Sequence, residues 1–159
     1  MPIRFVSLAL AIVLLVASRV ASPADPPALQ ESAPAVKSAL NDVITRQLAA
    51  FHAGDFKRAY TFAALEIRSK YDPATFEQMV KIGFPILTRS TSTEFGPTLD
   101  DGENGVVYVK VGDAQGEQLY LYSMKREEKD WKIIGVSRKD EEQAEPPSPV
   151  VYHLPPDSA

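Results

Sequence analysis

The chain has no cysteine. That excludes a disulfide framework, a zinc–cysteine site, a thiol nucleophile and lipid attachment at an N-terminal cysteine. It has only two histidines, His52 and His153, far apart in sequence, which is too little for a zinc site. There is no Gly-x-Ser-x-Gly elbow and no phosphate-cradling glycine loop. Neither sign of charge dominates the body. Every basic residue except Arg4 and Arg19 lies within 35–139, where acids nearly balance them. The surplus acid sits in the flanks, at Asp25, Glu31, Asp140, Glu141, Glu142, Glu145 and Asp157. A near-neutral body carries no electrostatic footprint for nucleic acid. Long apolar runs are also missing. The longest, from Phe5 to Ala17, stops at Ser18-Arg19, short of the roughly 20 residues a membrane-crossing helix needs.

That short run has a different reading. A basic lead (Arg4), the apolar run and a small-residue exit at Ser22-Pro23-Ala24 match a secretory signal peptide cut after Ala24. The expected location is therefore periplasmic or secreted, with no membrane span after signal removal. The alternative is an uncleaved N-terminal segment that anchors the protein to the envelope. Proline then marks the domain. Residues 1–24 are the signal, 25–34 a flexible proline-rich lead, 35–139 a single α+β domain, and 140–159 a disordered, acidic, proline-rich tail.

Inside the domain the hydrophobic period changes once. Val36, Leu40, Val43, Ile44, Leu48 and Phe51 form one helical stripe, closed by Gly54. Asp55 caps a second helix that buries Phe56, Ala59, Tyr60, Ala63 and Ile67. Asp72-Pro73 starts a third, with Phe76, Met79 and Val80 inward, which stops near Gly83. Four strands follow, over 91–95, 106–111, 118–125 and 131–137, joined by short turns and hence antiparallel. Three helices followed by a four-stranded meander predict an α+β fold with the helices on one face. Strands two and three are apolar on both sides, with Val106 and Tyr108 opposite Val107 and Val109, and Leu119 and Leu121 opposite Tyr120 and Tyr122. The outer face then predicts a homodimer through the sheet, the alternative being that the tail folds back over it.

The segments from Val43 to Ala63, from Phe62 to Gly96 and from Tyr120 to Val136 resemble a bacterial family known as domain of unknown function 4864. The likeness is carried by Phe76 with Met79-Val80, by Gly83-Phe84-Pro85, and by Tyr122-Ser123-Met124 with Trp131-Lys132-Ile133-Ile134-Gly135. That family is similar to the nuclear-transport-factor-2-like, or SnoaL-like, superfamily. The resemblance implies a curved sheet wrapped around helices into a cone with a pocket at its open end.

Two functions fit such a cone. The first is a non-catalytic module for a small apolar ligand or a protein, whose pocket residues are expected among Tyr60, Tyr108, Tyr122 and Trp131. Their bland role is core packing. The second is an isomerase or lyase of the ketosteroid-isomerase type, needing a carboxylate base in an apolar pocket and neutral donors opposite it. Glu94, Glu66 and His52 are the candidates, each with a plain alternative: a solvated carboxylate, or a histidine serving a helix end. No cofactor and no metal is expected. Asp100 to Gly105 (DDGENG) lacks calcium-loop spacing and reads as a hairpin turn.

Overall fold

A computed structural model describes residues 28–139. The signal, most of the lead and the tail lie outside the described residues. Within them the chain is α+β: β1 (Gln30–Glu31), α1 (Pro34–His52), α2 (Phe56–Thr61), α3 (Leu65–Lys70), α4 (Pro73–Gly83), α5 (Pro85–Thr88), β2 (Ser92–Asp100), β3 (Asn104–Asp113), β4 (Gly116–Glu127) and β5 (Asp130–Lys139). The strands form one open antiparallel sheet in the order β1-β2-β3-β4-β5.

The expected three helices and four strands are thus corrected to five of each among the described residues. Three local causes explain the difference. The predicted second helix is broken at Phe62–Ala64, because the backbone there bonds to β5. The Ile133 amide donates to the Phe62 carbonyl at 2.9 Å, and the Ala64 amide donates to the Ile133 carbonyl at 2.8 Å. Ala63 and Ala64, with side chains small enough for this approach, are 2% and 0% exposed. Open backbone groups on a sheet edge need partners, and this loop supplies them in place of helical bonds. The added helix α5 is a single turn begun by Pro85. The added strand β1 falls within residues 25–34, where Gln30 and Glu31 pair with Asp100 and Leu99. The Ser32 amide continues that edge by donating to the Thr98 carbonyl at 2.9 Å.

The caps follow the sequence. The Asp55 carboxylate accepts from the Arg58 amide at 3.0 Å, and the Asp72 carboxylate from the Thr75 amide at 2.9 Å. Gly54 takes φ +71°, which ends α1 without the strain a side chain would bring. Strand β2 runs further than expected, through Pro97, because the register shifts between Phe95 and Thr98 and a bulge accepts a residue with no amide hydrogen. Asp101 closes the β2–β3 turn, accepting from the amides of Glu103 at 2.9 Å and Asn104 at 2.6 Å. This is turn chemistry, as the residues of that segment predict.

Leu40, Ile44, Leu48 and Phe51 of α1 join Val107, Val109, Val111, Tyr120, Tyr122 and Met124 of the sheet in one core. α1 meets β3 closely at Gly105, where an added Cβ would stand 3.3 Å from the Leu40 methyls. The outer sheet face is less open than alternation implies, since Tyr108 and Leu119 are only 7% and 8% exposed. The large apolar side chains that do meet water include Leu65, Met79 and Ile82, all on α3 and α4. No helix among the described residues is long and apolar enough to cross a membrane.

Candidate ligand pocket

A pocket of about 240 Å³ opens between the helices and β5. Helix α1 contributes Gln47 and Phe51 to its wall. The α2–α3 link and α3 add Ala63 and Ile67. Tyr71 and the α4 residues Phe76, Met79 and Val80 form the far side. Phe84 and Leu87 close one end, and Ile133, Gly135 and Val136 of β5 form the floor. Met79, at 36% exposure, stands at the rim. Aromatic contacts stiffen the wall: Phe76 lies 6.2 Å from Phe51 and 5.3 Å from Tyr60, ring centre to ring centre.

Among the described residues the lining includes no Asp, Glu, His, Lys or Arg. Its one amide side chain, Gln47, is 3% exposed and donates to the Ala59 carbonyl over a long 3.4 Å. Such a chamber offers shape and apolar contact, with few directed polar groups.

The residues singled out from the sequence are not brought together here. Glu94 is exposed on β2, opposite Lys110 of β3. Glu66 is exposed on α3 and bonds Lys125, whose ammonium holds its carboxyl below the usual range. It borders a polar surface groove shared with Arg68, Glu127 and Lys132. His52 ends α1 in water, beside a separate shallow groove with Thr91 and Thr93. None of the three lines the apolar pocket.

The aromatic candidates also scatter. The Tyr60 hydroxyl faces the carbonyls of Tyr71 at 2.6 Å and Arg68 at 2.9 Å. Its single proton is shared between them, so Tyr60 ties α2 to the end of α3. Tyr108 lies on the opposite side of the sheet from Val107 and Val109, away from the pocket. Trp131 is buried in the core beneath the Arg126 guanidinium at 5.9 Å. Tyr122 is fully buried on the core face, opposite the lining residue Val136. Among the described residues its hydroxyl has no hydrogen-bond partner. Burial pushes the Tyr122 hydroxyl far above the ordinary tyrosine range, and pushes Tyr120 in the same direction while nearby Arg138 pulls the other way.

Reading residue types for chemistry missed Tyr71, Phe84 and Val136. Signals did exist for two of them. Tyr71 precedes Asp72-Pro73, and Phe84 sits between Gly83 and Pro85, so both occupy breaks between helices.

The sequence profile of the domain of unknown function DUF4864 matches residues 33–146. The chain belongs to the DUF4864 family. The match spans α1 through β5, so the pocket and every element around it lie inside the DUF4864 domain. No curated protein and no solved structure matches the chain.

Proposed function

We propose that this DUF4864 domain is a non-catalytic binding module that takes a small apolar ligand between α4 and β5, in a protein exported by its first 24 residues. The observation that carries the reading is the pocket lining, apolar throughout apart from Gln47 and the Tyr71 hydroxyl. The order of helices followed by an antiparallel meander supports the cone architecture of the nuclear-transport-factor-2-like superfamily. Its size sets the ligand. A cavity of about 150 Å³ holds benzene, so about 240 Å³ suits roughly ten carbon atoms. The isomerase or lyase alternative asks for a carboxylate in that space, whereas Glu66 and Glu94 stand in water elsewhere.

Titration of the full chain with 4-butylbenzamide, followed by methyl resonances and calorimetry, tests the reading. The expected result is saturable binding that shifts Met79, Val80 and Val136. Met79→Trp, at a rim position that tolerates bulk, should abolish it, while Ile82→Ser, outside the lining, should not. Glu66→Gln and Glu94→Gln should leave affinity unchanged. Absence of binding, or binding indifferent to Met79→Trp, overturns the reading.

A further inference from the structure

Gln47 is out of place on the buried face of α1. The apolar stripe runs through Ile44, Leu48 and Phe51, and Gln47 lies among them at 3% exposure. Among the described residues the buried polar side chains are Ser32, Gln47 and Thr98, and of these Gln47 alone lines the pocket. Burying an amide is costly unless its hydrogen bonds are met. Here they are poorly met. The side chain's one hydrogen bond among the described residues runs from Nε2 to the Ala59 carbonyl over 3.4 Å. That carbonyl already accepts from the Phe62 amide at 3.2 Å, so it is satisfied without Gln47. The contact nonetheless orients the amide. A carbonyl only accepts, so Nε2 faces Ala59 and Oε1 is turned away from it. No described residue donates to Oε1, and unlike the Tyr122 hydroxyl this oxygen is not sealed off. An open acceptor thus stands in the wall of an apolar chamber, deep to the rim at Met79.

We propose that the ligand is a neutral alcohol or phenol, whose hydroxyl donates to Gln47 Oε1 while its hydrocarbon body fills the rest of the chamber. The assignment rests on the binding reading above and adds the ligand's polar group. Neutrality follows from the lining, which offers no ionised partner to a charge stripped of water. A hydroxyl follows from the open atom: an acceptor needs a donor, which ethers, ketones and plain hydrocarbons lack. The apolar body gains from leaving water. A site that holds an unpaired acceptor discriminates against an analogue without the hydroxyl, because that analogue leaves the acceptor buried and unmet.

Two probes of one shape separate this inference from the pocket itself. 4-Propylphenol carries a hydroxyl where 4-propyltoluene carries a methyl, and each has about ten non-hydrogen atoms, the size the cavity holds. Both are titrated near neutral pH, where the phenol keeps its proton, into the full chain and into its Gln47→Leu and Gln47→Met variants. Each variant should lower the phenol-to-toluene affinity ratio about fivefold, the worth of one net hydrogen bond. The change in ratio cancels the probes' different hydrophobicity and any general loosening of the fold. The melting temperature should hold or rise in both variants, because an amide with one long bond gives way to apolar contact. A ratio unmoved in both variants overturns the hydroxyl inference while the pocket stands, and a lowered melting temperature beside it would assign Gln47 to the α1–α2 contact instead. Binding of the toluene alone to the parent chain overturns the inference as well. Failure of both probes to bind the parent chain overturns both readings.

Discussion

Replacing Tyr122 by Phe should stabilise the protein. The ring is fully buried, between Val107 on β3 and Val136 on β5, and phenylalanine keeps all of that packing. What it removes is a buried hydroxyl with no hydrogen-bond partner among the described residues. Leaving such a group unpaired costs about 1–3 kcal/mol. The expected gain is therefore about 1–2 kcal/mol near neutral pH, at about 4 °C in melting temperature for each kcal/mol in a domain of this size. A second signature appears at high pH. Burial raises the folded-state value of Tyr122 far above that of the unfolded chain. Below about pH 10 both states carry the proton and the group contributes no pH dependence. Above it the unfolded chain ionises while the folded chain does not, so stability falls by about 1.4 kcal/mol per pH unit. Tyr122→Phe should flatten that alkaline loss by about one proton's worth. Trp131, the single tryptophan, is buried and reports unfolding by fluorescence in urea at neutral pH and again between about pH 10 and 11.5. A variant that loses about 1 kcal/mol at neutral pH and keeps the parent's alkaline slope would refute the reasoning, because it would mean that the hydroxyl is bonded.

Two further outcomes follow from the same geometry. Phe76→Ala removes the ring that touches both Phe51 and Tyr60 in the pocket wall, and should cost about 3–5 kcal/mol in urea unfolding; a loss well under that range would mean that α4 collapses into the space. The carboxyls of Asp72, Asp101 and Asp113 are held below the ordinary aspartate range, chiefly by backbone amides. The stability they contribute is complete above about pH 4 and is lost as pH falls below it. Asp72→Ala should therefore lower the melting temperature at neutral pH and flatten the acid limb, and an unchanged acid limb would contradict the cap.

The sequence by itself determined whatever depends on local spacing. The stripe from Val36 to Phe51 and the Asp55 and Asp72 caps each express a preference satisfied within a few residues, and each appears in the structure. Absence was equally legible: a chain without cysteine has no disulfide or thiol chemistry in any fold. Tertiary structure decided what depends on partners distant in sequence. Helix α2 stops at Thr61 because the backbone from Phe62 to Ala64 is captured by the edge of β5, some seventy residues on. β1 exists only because β2 offers it an edge. The pocket belongs to this second class. Its walls come from α1, α3, α4, α5 and β5, so the apolar residues that line it read in the sequence as ordinary core. Tyrosines chosen for their hydroxyls fell elsewhere, because strand parity and local carbonyls fix where a hydroxyl points. A cavity is the space that packing leaves unfilled, and no single segment encodes that space.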